Sequence, residues 1–139
     1  MKRHRPYLVG AAMGLFAAVA IISSPAKATP CTNLQSLQLD DTTITSATDN
    51  TSGVFTVPGS NPSSTITGLP AFCRVTATLV PTSDSSIKIE IWLPETNWNG
   101  RFLGTGGGGF QGIINYAELA NGLKAGFSAT NSDLGTGSS

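Results

Sequence analysis

The segment Ile87-Lys88-Ile89-Glu90-Ile91-Trp92-Leu93 places a branched apolar residue at every second position, between the polar turn Pro81 to Ser86 and Pro94. Side chains along an extended chain alternate between two faces, so this run specifies a strand and excludes an amphipathic helix, whose period is ~3.6. Phe72 to Val80 alternates in the same way. Joined by the turn, the two runs predict an antiparallel hairpin with Ile87, Ile89, Ile91 and Leu93 on its buried face. Pro94 closes the second strand because it has no N–H to donate to a ladder.

Downstream, Asn97 to Gly100 reads as a turn, and Arg101 to Thr105 as a short strand that runs into Gly106-Gly107-Gly108-Gly109. Ile113, Ile114, Ala117, Ala120 and Leu123 then fall near helical spacing, which predicts a helix over Ile113 to Lys124 with Gly126 at its C-terminal cap. Phe127 to Thr130 reads as a further strand. A strand, a helix and a strand with short connections favour a parallel crossover. With the hairpin in front, the expected architecture is a mixed α/β sheet whose last strand is an open edge. Upstream, residues 29–69 are rich in Ser, Thr, Asn, Asp and Gly and read as a polar N-terminal arm. It has a short helical turn over Thr32 to Leu37 and β-like pieces at Thr42 to Ala47 and Val54 to Val57.

Met1 to Ala28 has the three parts of a secretory signal: basic Lys2, Arg3 and Arg5, an apolar run from Leu8 to Ile22, and Ala26-Lys27-Ala28 as a cleavage site. Cleavage there leaves Thr29 to Ser139, without the one histidine of the chain, His4. It also leaves four basic against eight acidic residues, a net charge of −4 hidden behind an overall balance of zero. An acidic surface argues against nucleic-acid binding. No stretch after Ala28 approaches the ~18 to 20 apolar residues of a spanning helix. The two cysteines, Cys31 and Cys73, read as a disulfide in an exported chain, with a pair of free thiols as the alternative. A metal site would need more soft ligands than two cysteines supply.

The glycine run admits three readings. Gly104-Thr105-Gly106-Gly107-Gly108-Gly109 matches the G-x-G-x-x-G of a dinucleotide-binding βαβ unit, with Asp133 placed as a ribose-binding acid. The export signal, the cysteine pair and the hairpin ahead of the loop argue against it. The second reading is an oxyanion loop, in which glycine permits a backbone N–H to approach a reacting ester carbonyl. The third is a tight turn without chemistry.

Several segments together resemble the tannase and feruloyl esterase family: Leu69-Pro70-Ala71-Phe72-Cys73-Arg74-Val75, Ile87 to Pro94, Trp98-Asn99-Gly100-Arg101-Phe102-Leu103, the Gly106 to Gly109 loop, and Gly126-Phe127-Ser128-Ala129-Thr130-Asn131-Ser132-Asp133. The resemblance implies the N-terminal portion of an α/β-hydrolase: residues 1–28 as signal, 29–69 as arm, 70–139 as the start of an incomplete hydrolase domain. It implies an exported, periplasmic or secreted enzyme that cleaves galloyl or feruloyl esters through a serine acyl-enzyme. Gly109 then supplies one oxyanion-hole N–H, and Cys31 pairs with Cys73. No cofactor is expected within these residues, although an inserted lid in such enzymes often holds calcium. Serine, aspartate and histidine of the triad are expected outside this chain, which by itself is expected to be inactive. Asp133 departs from the family's Asp-x-Gly-His by carrying Thr136, so it reads as a loop carboxylate. Trp92 and Trp98 read as packing and strand-end aromatics. The reading from another class is an exported binding or scaffold domain without catalysis.

Overall fold

The computed structural model describes residues 29–107 and 112–137; the signal expected over Met1 to Ala28 lies outside the described residues. A 3-10 turn, Cys31–Ser36, precedes β1 (Thr42–Asn50), β2 (Val54–Thr56), β3 (Thr65–Thr67), β4 (Phe72–Leu79), β5 (Ile87–Pro94), β6 (Phe102–Gly104), α1 (Tyr116–Lys124) and β7 (Ser128–Ser132). Five strands form one mixed sheet in the order β1-β4-β5-β7-β6, and β2 and β3 form a separate hairpin.

The expected hairpin is β4 with β5, antiparallel from Leu79 opposite Ile87 to Phe72 opposite Pro94. Its burial differs from the expectation. Glu90 and Trp92 are the buried residues of β5, while Ile87, Ile89, Ile91 and Leu93 are half-buried. The reason is what lies over each face. Trp92 and Phe72 face α1 and the β2-β3 hairpin, forming a core with Phe55, Leu69, Leu119, Ala120, Leu123 and Ala129. On the opposite face, Ile91 and Leu93 pack beside the smaller cluster of Cys31, Ala47, Cys73 and Val75. That cover is the 3-10 turn, much shorter than a helix.

The last strand also sits elsewhere than expected. β7 is not an open edge: it inserts between β5, to which it is antiparallel, and β6, to which it is parallel. The edge is β6, where Phe102 is 63% exposed. Insertion gives β7 neighbours on both sides, which suits a strand whose Ala129 and Asn131 are both buried. At the other edge, the polar β1 pairs with β4 from Thr42 opposite Leu79 to Asn50 opposite Phe72.

The helix begins later than the apolar spacing suggests. Asn115 is its N-cap, with its side chain accepting from the Glu118 N–H at 3.2 Å. Ile113 lies before the helix and is 61% exposed. At the other end the Gly126 N–H donates to Leu123 O and the Phe127 N–H to Gly122 O, which satisfies the last carbonyls. Gly126 has φ +82, and a side chain there would stand 2.9 Å from Asn97 O, so glycine is required at this position.

Candidate active site: the limbs of the glycine loop

The β6-to-α1 connection contains the glycine run. Gly109, the expected oxyanion donor, lies outside the described residues, so the site is defined by the two limbs that flank it. Thr105 leads in from β6, with its N–H donating to Thr130 O at 2.8 Å and its hydroxyl to the same oxygen at 2.9 Å. On the outgoing limb, a side chain at Gly112 would collide with the backbone of Thr136 and Gly137. Glycine is therefore used there for close backbone approach. Asn115 then turns the chain into α1 as its N-cap.

Between the limbs stands Asn131 of β7, 1% exposed. Its Nδ2 donates to Thr105 O at 3.0 Å and to Thr105 Oγ1 at 2.8 Å. Its Oδ1 accepts from the Asn115 N–H at 2.9 Å. These partners fix the amide orientation, because Thr105 O can only accept and the Asn115 N–H can only donate. Asp133 follows the strand and is buried; its Oδ1 accepts from the Lys88 and Gly135 N–H groups, both at 2.9 Å. It therefore ties the turn after β7 to β5, consistent with a loop carboxylate rather than a ribose ligand.

A second polar cluster lies on the α1-facing side of the sheet. Glu90 is 2% exposed and accepts two hydrogen bonds from the Arg74 guanidinium, at 2.5 and 3.0 Å, and one from Trp92 Nε1 at 2.8 Å. Arg74 also stacks over the Phe55 ring, 4.9 Å from its centroid. The Glu90 hydrogen bonds hold the Arg74 guanidinium charged above its ordinary range. Burial, and next the negative Glu90, push the Tyr116 hydroxyl up to about 12. Arg74, Lys88, Glu90, Ile114 and Tyr116 line a shallow groove here.

Tyr116 is the only tyrosine after Ala28, so tyrosinate absorbance in the chain from Thr29 reports on it alone. The expected midpoint is about 12 when folded, against ~10 after unfolding. The unfolded state loses this proton first, so stability should fall as pH rises between those two values. A folded-state midpoint at the ordinary value would show that Tyr116 is solvated.

Cys31 and Cys73 form a disulfide with Cα atoms 5.5 Å apart across 42 positions of sequence, linking the 3-10 turn to β4. Together with Asp49 they are the only grouping of metal-type side chains among the described residues, and the disulfide occupies both sulfurs. Trp92 is fully buried and stacked on Phe72 at 4.4 Å. Trp98 is 58% exposed, with Nε1 donating to Arg101 O at the entry to β6. Sequence reasoning missed Asn131 and the Arg74–Glu90 pair. The hairpin register offered a signal for the pair, since it brings Arg74 diagonal to Glu90 on one face.

Residues 73–139 match the family model described as Tannase and feruloyl esterase. This region resembles the tannase and feruloyl esterase family. The chain is 38% identical over 116 residues to an uncharacterized esterase of Xanthomonas campestris pv. campestris, covering 84% of this chain and 20% of that protein. Against a probable feruloyl esterase B-2 of Aspergillus flavus it is 49% identical over 63 residues, 45% of this chain and 12% of the relative. The crystal structure of feruloyl esterase B from Aspergillus oryzae superposes with a TM-score of 0.64 at 31% identity, over 74% of this chain and 20% of that one. The chain thus spans about a fifth of the length of the Xanthomonas relative and of the superposed structure. Among the described residues no helix is long and apolar enough to cross a membrane.

Proposed function

We propose that this chain contributes the first strands and the oxyanion loop of an exported carboxylic ester hydrolase with an α/β-hydrolase sheet. The observation that carries the reading is the superposition on feruloyl esterase B. It covers 74% of this chain, whose mixed sheet sets the glycine loop and α1 between two parallel strands, β6 and β7. In this reading Gly109 presents a backbone N–H to the oxygen that becomes negative as an ester carbonyl is attacked. Donors preorganised toward that charge lower the barrier by several kcal/mol. The nucleophile is a serine activated by a histidine and an aspartate, giving an acyl-enzyme that water resolves. The one histidine here is His4, within the signal-like segment, so in this reading the catalytic histidine lies in the part of such an enzyme that this chain does not span. The names of the relatives support feruloyl esters as substrates, and the family resemblance adds galloyl esters. The signal-like Met1 to Ala28 and the Cys31–Cys73 disulfide support export.

The full-length natural protein is expected to hydrolyse methyl ferulate or methyl gallate, whereas the 139-residue chain alone gives no turnover above a buffer blank. In the full-length protein, Gly109→Val should lower kcat by about 100-fold or more with KM little changed. An unchanged kcat would return the loop to a tight turn without chemistry. A folded full-length protein that turned over neither ester would favour an exported binding or scaffold domain.

A further inference from the structure

We propose that Asn131 is a positioning residue that clips together the two limbs of the glycine loop. The proposal rests on the hydrolase reading above and adds the group that fixes the two described limbs of that loop, at Thr105 and Asn115.

The loop leaves the sheet at Thr105 and returns at Asn115, and five of the nine residues between them are glycine. Glycine has the largest conformational freedom to lose on ordering, so contacts made at the ends of a glycine-rich connection carry much of its positioning. A misplacement of only ~1 Å at a catalytic donor can cost ~100-fold in rate. Something outside the loop has to set its ends, and Asn131 is placed to do so. One buried carboxamide donates to the carbonyl and hydroxyl of the incoming limb and accepts from the N–H of the outgoing limb. Both limbs are thereby referred to β7, an inner strand of the sheet. The outgoing anchor is itself rigid, because Asn115 caps α1 and so couples the clip to the start of the helix. Nearby, Gly112 against Thr136 and Gly137 adds a steric stop on the same limb.

Burial and stoichiometry distinguish this arrangement from an ordinary satisfied asparagine. Asn131 uses both amide hydrogens and its carbonyl on the loop ends alone, and spends none on its own strand. Asparagine is the residue that offers donor and acceptor at this reach. Aspartate would keep the contact to the Asn115 N–H but turn an oxygen toward Thr105 O, replacing attraction by repulsion.

The test compares the full-length natural protein with its Asn131→Asp variant, by hydrogen exchange of the segment spanning Thr105 to Asn115 and by steady-state hydrolysis of methyl ferulate. The expected result is exchange at least about 10-fold faster in that segment, and kcat lower by about 10- to 100-fold with KM within about 2-fold. A merely structural role would lower the melting temperature but leave kcat of the folded protein unchanged, and that outcome overturns the proposal. So does unchanged exchange in a folded variant. If Asn131→Asp does not fold, Thr105→Val removes one bond of the clip, with an expected kcat loss of about 3- to 10-fold; wild-type kcat in that variant overturns the proposal too. If the wild-type protein hydrolyses no ester, the hydrolase reading fails separately, and the exchange comparison alone decides whether Asn131 holds the loop.

Discussion

Replacing Glu90 by alanine is expected to lower the unfolding free energy by about 3 to 5 kcal/mol, measured by equilibrium denaturation. The cost comes from what is left behind. Glu90 sits on the buried face of β5 and satisfies both Arg74 and the indole N–H of Trp92. Without it, a half-buried guanidinium held over the Phe55 ring has no counter-charge, and a fully buried indole N–H has no acceptor. The figure is not the net contribution of the pair, since removing two ions from water offsets most of their attraction. The double variant Arg74→Met with Glu90→Leu should therefore be much less damaging than Glu90→Ala alone. A loss below about 1 kcal/mol for Glu90→Ala would mean that the pair behaves as an exposed surface bridge. Glu90 lies directly opposite Asn131 in the β5–β7 register, and its backbone carbonyl accepts from Thr130 Oγ1, so a disturbance of β5 at this position reaches the strand that carries Asn131.

Much of the fold could be read from local pattern, and the exceptions share a physical cause. The β4–β5 hairpin follows from alternation and a polar turn, both encoded within a few residues. The α1 boundary was misplaced because Ile113 and Ile114 extend the apolar spacing. The correct start was nevertheless written locally, as Asn115 followed three positions later by Glu118, a capping pattern that outweighs two isoleucines. The β-like pieces expected at Thr42 to Ala47 and Val54 to Val57 are strands β1 and β2, but the place of β1 as an edge of the main sheet was not legible, because an edge strand with one solvated face can be built from Thr, Ser, Asp and Asn. The insertion of β7 between β5 and β6 is a long-range pairing, and no local feature of Ser128–Ser132 encodes its neighbours.

For the candidate site the division is sharper. Glycines announce a loop that needs close approach, but they carry no information about what holds its ends. The residue that does is a single asparagine inside a strand, where asparagine is disfavoured. Its meaning emerges only when the sheet order brings Thr105 and Asn115 to the same side chain. A buried polar residue in a short strand was the available clue, and burial was not evident from the sequence of Phe127 to Asp133.

Trp92→Ala is expected to destabilise the fold by about 3 to 5 kcal/mol in thermal or chemical denaturation. Trp92 is the residue on which three separate elements meet. It stacks on Phe72 of β4 at 4.4 Å, meets Phe55 of the β2-β3 hairpin edge-on at 4.8 Å, and lies 6.5 Å from the Tyr116 ring at the start of α1. Truncation removes the indole and leaves a cavity that the rigid sheet cannot close, so transfer and cavity costs add. Trp92→Phe should be milder, because it retains the aromatic contacts while giving up the hydrogen bond to Glu90 and part of the volume. Trp92 and Glu90 are partners, so their losses should not add. In a double-mutant cycle with Glu90→Ala, an interaction energy of about 0.5 to 3 kcal/mol is expected. Simple additivity would show that the indole and the carboxylate act independently. Such a result would also separate the apolar core from the polar cluster that borders the glycine loop, whereas coupling would make them one unit whose weakening reaches α1 and its Asn115 cap.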